Sequence, residues 1–189
     1  TWLKEHMTSV KVIDCSWHLP MSKRVARDEY PASHLPGAIF FDLDLCCDNE
    51  AKYGEQMLPS SSQFEKYMSE LGIQNSDHLV LYDNNDNMGL FSAPRSWYIF
   101  RVFGHEKVSV LNGGFPAWKA SGGDMTSEVP SVSASTYKAK YNAALVRSYE
   151  DVLKNIDTKE FVYLDVRPKP RYIGQAPEPI PGVKPGHIP

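Results

Sequence analysis

One short pattern occurs twice in this chain, and it limits the fold more than any other feature. Val12-Ile13-Asp14 is followed, 20 residues after the aspartate, by His34-Leu35-Pro36-Gly37. Tyr163-Leu164-Asp165 is followed, 22 residues after the aspartate, by His187-Ile188-Pro189. Each copy reads as an apolar strand ending in a carboxylate, then a proline-containing loop, then a His-apolar-Pro turn. A pattern repeated at the same place relative to its strands implies one supersecondary unit used twice. The expectation is one complete domain over residues 1–126, a linker over 127–145, and the beginning of a second, similar domain over 146–189.

The first unit alternates strands with helices. Val10 to Asp14, Ala38 to Phe41, Leu79 to Tyr82 and Lys107 to Leu111 read as strands. Ser60 to Leu71 reads as a helix: a serine caps it, Phe64, Tyr67, Met68 and Leu71 share a face, and Gly72 ends it. Ser92 is expected to cap another helix, with Pro94 in its first turn and Gly104 after its end. Pro116 begins a third, closed by Gly122-Gly123. This order implies an α/β domain with a mostly parallel sheet. Further on, Ser148 and Asp151 predict a capping box for a helix to Ile156, and Phe161 to Leu164 is expected to be a strand.

Composition narrows the function. The net charge of -3 argues against a broad electrostatic nucleic-acid binder. No apolar run exceeds four residues, so no helix spans a membrane. Three cysteines are an odd number and make no disulfide framework, which favours a reducing compartment, cytoplasmic or mitochondrial. Cys15 reads as a buried apolar residue, and Cys46-Cys47 lack metal-site spacing. No metal and no cofactor is expected. Asn112-Gly113-Gly114 reads as a turn rather than a phosphate loop.

In an open parallel sheet, ligands bind beyond the carboxyl ends of the strands. The clearest such place is the loop Asp83 to Gly89, which enters a helix whose free amides suit an anion or a thiolate. Here the loop carries two aspartates and no nucleophile, so as an active site it reads as vacant.

Taken in order, several stretches resemble the two-domain rhodanese family, the thiosulfate and 3-mercaptopyruvate sulfurtransferases. They are His34-Leu35-Pro36-Gly37-Ala38, Phe40-Phe41-Asp42-Leu43-Asp44, Met57-Leu58-Pro59, Ser92-Ala93-Pro94-Arg95 with Trp97, Phe103-Gly104-His105 and Val108 to Phe115. In the second unit they are Asp165-Val166-Arg167, Arg171-Tyr172, Pro177-Glu178-Pro179 and Gly186-His187-Ile188. The resemblance implies a rhodanese-like open sheet of five strands with helices on both faces. It also implies that only the second domain carries the catalytic cysteine, in the loop equivalent to Asp83–Gly89. No catalytic residue is then expected in this chain, and the nucleophile is expected beyond Pro189, about 50 residues after His187 by the repeat. The implied reaction moves a sulfane sulfur from thiosulfate or 3-mercaptopyruvate, a small anionic donor, through a cysteine persulfide to cyanide or a thiol acceptor. No nucleic acid and no membrane takes part.

The resemblance marks Arg171 as the residue that holds the donor's anionic end, since a guanidinium forms paired charge-assisted hydrogen bonds. Arg167, directly after the Asp165 strand end, is expected to form an ion pair or to assist donor binding. Asp44 matches an aspartate that mercaptopyruvate enzymes place near the catalytic loop. Their partner histidine is here Gln56, which cannot relay a proton, and an arginine they carry after the Pro-Glu-Pro stretch is here Ile180. Both departures favour thiosulfate. Two other classes stay open: a non-catalytic rhodanese-like module that docks a partner protein, and a redox regulator acting through Cys46-Cys47.

Overall fold

A computed structural model of the protein describes residues 2–51, 56–86, 90–178 and 182–189. The chain divides into two compact units, Thr1–Leu145 and Val146–Pro189.

The first unit begins with α1 (Trp2–His6) and β1 (Lys11–Asp14), continues through α2 (Ala26–Ala32), β2 (Ile39–Phe40), α3 (Ser61–Glu70) and β3 (Leu79–Tyr82), and ends with α4 (Ala93–Val102), β4 (Val108–Val110) and α5 (Gly114–Ala120). Its described strands form one sheet in the order β2-β1-β3-β4, and every pairing is parallel. β3 is apolar along its whole length because both of its faces are covered. Val12, Val80 and Tyr82 point to one face, where they pack with Leu3 of α1 and Phe115 and Trp118 of α5. Ile13, Leu79 and Leu81 alternate to the other, buried face. Helix α4 lies against β3 and β4. Phe64 of α3 stacks on Phe103 at 4.4 Å and meets Phe100 edge-on at 5.6 Å, so α3 and α4 share an aromatic layer.

Four strands are described where the family resemblance implies five. Thr126 makes only a single antiparallel bridge, to His34 in the segment between α2 and β2. The ladder goes no further because side chains take the next backbone groups. The His34 ring lies 3.1 Å from the Glu128 carbonyl oxygen, and the Thr126 hydroxyl accepts from Glu128 N.

The expected linker over 127–145 has almost no regular structure, yet it belongs to the first unit. It is a strap whose backbone bonds are met by the unit it crosses. Ser135 N donates to the Ser69 carbonyl, Lys140 N to Phe103 and Asn142 N to Val102. Tyr137 is buried under it against Phe64. Gly72 and Gly104, at φ +66° and +80°, turn the chain after α3 and α4 where a Cβ would strike the strap at Ser133 and Lys140.

His105 fastens the strap from inside. Its Nε2 lies 3.0 Å from the Asp77 carbonyl oxygen and its Nδ1 lies 3.1 Å from the Tyr137 hydroxyl. The neutral ring satisfies both groups, and burial holds its pKa below the usual 6.5. The unfolded chain therefore binds this proton more readily than the folded one. His105's contribution to stability is full above about pH 6.5 and is lost as pH falls from there toward the depressed native value. Melting temperature between pH 7.5 and 5 is expected to fall more steeply for the natural protein than for His105→Gln.

The second unit holds α6 (Tyr149–Thr158) and α7 (Lys169–Tyr172). The Ser148–Asp151 capping box begins α6. Phe161 to Leu164, expected to be a strand, joins no ladder; the Asn155 side chain holds the Phe161 backbone instead, and no strand occurs among the described residues of this unit. A parallel strand needs neighbours for its backbone groups, and none is present here. Val162, Leu164 and Val166 are consequently 84, 83 and 92% exposed along one edge.

Candidate functional site

The carboxyl ends of β1, β2 and β3 carry the first unit's polar cluster. The loop after β3 is closed by its own first residue. Asp83 Oδ2 accepts hydrogen bonds from the amides of Phe91, Ser92 and Ala93 at 2.7, 2.8 and 2.8 Å. These are the free donors at the start of α4, where a helix favours an anion. Ser92, expected to cap α4, does not, and its hydroxyl instead accepts from Trp17 N at 3.1 Å. The charged carboxylate outcompetes the hydroxyl for the amides. The cradle that suits a thiolate or an anionic donor is thus filled by the chain itself. Asn87, Met88 and Gly89 of this loop lie outside the described residues.

Beside the loop lies a cavity of about 310 Å³, walled in part by Trp17, Arg24, Arg27, Asp42 and Asp44. Its arginines are already paired. Arg24 grips Glu29 with Nε and Nη2 at 2.7 and 2.6 Å and reaches Asp86 with Nη1 at 2.6 Å. Arg27 pairs with Asp42. Asp44 Oδ1 accepts from Trp17 Nε1 at 3.0 Å and from Gln56 Nε2 at 2.6 Å. Gln56 therefore holds Asp44, but its amide does not titrate, and no proton relay runs through the pair.

The other predicted residues meet in the second unit. Arg167 binds Asp165 through Nε and Nη2, Glu178 Oε1 through Nη1 at 3.0 Å, and the Gly186 carbonyl through Nη2 at 2.7 Å. Its guanidinium lowers the Asp165 pKa to about 2. Arg171, in α7, directs Nε and Nη2 to Glu178 Oε2. The structure thus joins Arg167 to Arg171 through one carboxylate, while Asp44 belongs to the first unit. Pro179 and Ile180 lie outside the described residues.

The two copies of the repeat match in geometry as well as in sequence. The Tyr30 ring stacks on His34 at 4.2 Å, with His34 Nδ1 2.6 Å from the Tyr30 carbonyl oxygen. The Tyr172 ring stacks on His187 at 4.2 Å, with His187 Nδ1 2.8 Å from the Tyr172 carbonyl oxygen. Asp14 Oδ1 accepts from Ser16 N as Asp165 Oδ1 accepts from Arg167 N. The residues before the two tyrosines therefore correspond, Glu29 in one unit and Arg171 in the other. Glu29 Oε2 touches the loop after β3, accepting from Asn84 Nδ2 at 3.3 Å. Sequence reasoning missed Glu29, Glu178 and the inward turn of Asp83. Aligning the copies on Tyr30 and Tyr172, instead of on aspartate and histidine alone, would have exposed the first.

All three cysteines are reduced and buried. Burial raises each thiol's pKa, most of all at Cys15 and Cys46. A thiol that is neither exposed nor ionised is a poor nucleophile. That argues against a redox role for Cys46-Cys47 and against any of the three cysteines as a nucleophile.

Comparison with known proteins follows the same line. Residues 1–121 match the Rhodanese-like domain. A thiosulfate sulfurtransferase of Cricetulus griseus is 46% identical over 99% of this chain and 64% of its own length. A 3-mercaptopyruvate sulfurtransferase of Rattus norvegicus is 40% identical over 100% of this chain and 65% of its own length. The chain thus spans a little under two thirds of the curated relatives it matches. The crystal structure of SseA from Escherichia coli, a 3-mercaptopyruvate sulfotransferase with the rhodanese fold, superposes with a TM-score of 0.88 at 32% identity, covering 100% of this chain and 70% of that one.

Proposed function

The chain belongs to the rhodanese-like family, and from that premise we propose that it is part of a sulfurtransferase in which Arg171 binds the anionic end of the sulfur donor. The observation that carries this reading is the correspondence of Arg171 with Glu29. The first unit's copy reaches its own strand-to-helix loop, which supports a role for the second unit's copy in presenting a guanidinium to the donor of a loop-borne thiolate. Thr1–Leu145 supports rather than performs the chemistry, because Asp83 fills its amide cradle.

In the proposed reaction a cysteine thiolate beyond Pro189 attacks the outer sulfur of thiosulfate. The S–S bond breaks, sulfite leaves with the electron pair, and the cysteine keeps the sulfane sulfur as a persulfide. Cyanide then removes that sulfur as thiocyanate, or a thiol acceptor takes it. Gln56 beside Asp44 favours thiosulfate over 3-mercaptopyruvate as donor. Arg167 supports Arg171 within the second unit through the shared Glu178, and Asp44 is the supporting carboxylate of the first. The free thiols fit a cytoplasmic or mitochondrial setting. Mass spectrometry of the natural full-length protein after exposure to thiosulfate tests the reading. A single cysteine should gain one sulfur atom, which cyanide removes.

A further inference from the structure

We propose that Glu178 is a positioning residue that aims Arg171, an inference that rests on the reading of Arg171 as the donor's anchor. The Glu178 side chain is 6% exposed and that of Arg171 30%, so the carboxylate is covered by its two arginines while part of the Arg171 side chain stays open. Each Glu178 oxygen takes one arginine, Oε1 from Arg167 and Oε2 from Arg171. One shared carboxylate thereby holds two cations side by side that would otherwise repel. Arg167 has further anchors in Asp165 and the Gly186 carbonyl. Among the described residues, the Arg171 guanidinium has only Glu178.

The first unit makes the same device with the charges exchanged. Glu29, the counterpart of Arg171, is gripped at two points by Arg24. In both units an ion pair fixes the side chain that precedes the stacked tyrosine, through both carboxylate oxygens at Glu29 and through Oε2 alone at Glu178. The partner, Arg24 in one and Glu178 in the other, is the holder. Which member of the pair sits before the tyrosine decides the sign of charge that the unit presents. Two N–H donors of one guanidinium edge converging on Oε2 limit the orientations that Arg171 can take.

The test uses thiosulfate kinetics of the natural full-length protein. Glu178→Gln keeps the shape but loses the charge, and is expected to raise KM for thiosulfate by about tenfold with kcat within about twofold. Glu178→Asp should recover part of that loss. A residue that only supported folding would lower the yield of active protein and leave KM alone. A double variant, Arg171→Glu with Glu178→Arg, restores an ion pair with its direction reversed. It should fail to use thiosulfate, and it should melt below the natural protein because the new cation at position 178 faces Arg167. Wild-type KM in Glu178→Gln while Arg171→Ala loses donor use would overturn the role of Glu178 alone, as would a swapped variant with normal donor kinetics. Should Glu178→Gln not fold, Glu178→Asp carries the comparison, where a raised KM supports the role and an unchanged KM contradicts it. Normal donor kinetics in Arg171→Ala would remove the donor-anchor reading itself, and the role of Glu178 with it.

Discussion

Arg171→Ala in the natural full-length protein is expected to lower kcat/KM for thiosulfate about a hundredfold while shifting the melting temperature by only a few degrees. The magnitude follows from the chemistry of the contact. A charge-assisted hydrogen bond from a guanidinium contributes about 1.5–3 kcal/mol, and about 2.7 kcal/mol is a hundredfold in rate. The stability effect is small because α7 is only four residues long and Glu178 keeps its bond to Arg167 when Arg171 is gone. Arg171→Lys should fall between, since it retains the charge and loses the fork. Initial rates against thiosulfate concentration decide the matter. Normal kinetics in Arg171→Ala would take the residue out of the site.

Asp83→Ala should be the most destabilising single change at the first unit's loop, costing about 3 kcal/mol or more. Three backbone amides converge on Asp83 Oδ2, and the residue is buried. Alanine leaves those donors without an acceptor where water has little access, at the end of a helix whose dipole favours the missing charge. Asp83→Asn keeps an acceptor oxygen but not the charge, and should cost about 1 kcal/mol. Urea denaturation gives both values from the shift in midpoint. An unchanged midpoint for Asp83→Ala would mean that the carboxylate does not hold the start of α4, and the claim that this cradle is internally filled would go with it.

Most of the first unit could be read from residue pattern. β3 is a continuous apolar run and a serine caps α3 as expected, with Gln63 completing a capping box that the sequence reading did not include; in the second unit Ser148 with Asp151 forms the expected box. Helices α1 and α2 went unread because α1 is five residues long and α2 carries Pro31 inside it. The strap over 127–145 was hidden because its order comes from the side chains and carbonyls it crosses, not from its own periodicity. The strand expected at Phe161 to Leu164 has the right composition but no partner, and composition cannot supply one. At the site, Arg167 and Arg171 were marked by motif, whereas Glu178 and Asp83 matter through the donors that converge on them. Such convergence is set by the fold and leaves no local signature.

Sulfur transfer is proposed to run through a cysteine beyond Pro189. The most direct measurement is peptide mass spectrometry of the natural full-length protein after thiosulfate, before and after cyanide. One added sulfur atom is expected on a single cysteine beyond Pro189, with sulfite released in equal amount and the sulfur lost as thiocyanate. Cys15, Cys46 and Cys47 should be unmodified, because all three are buried with raised pKa values. No sulfur on any cysteine, or sulfur carried by Cys15, Cys46 or Cys47, would contradict this proposal.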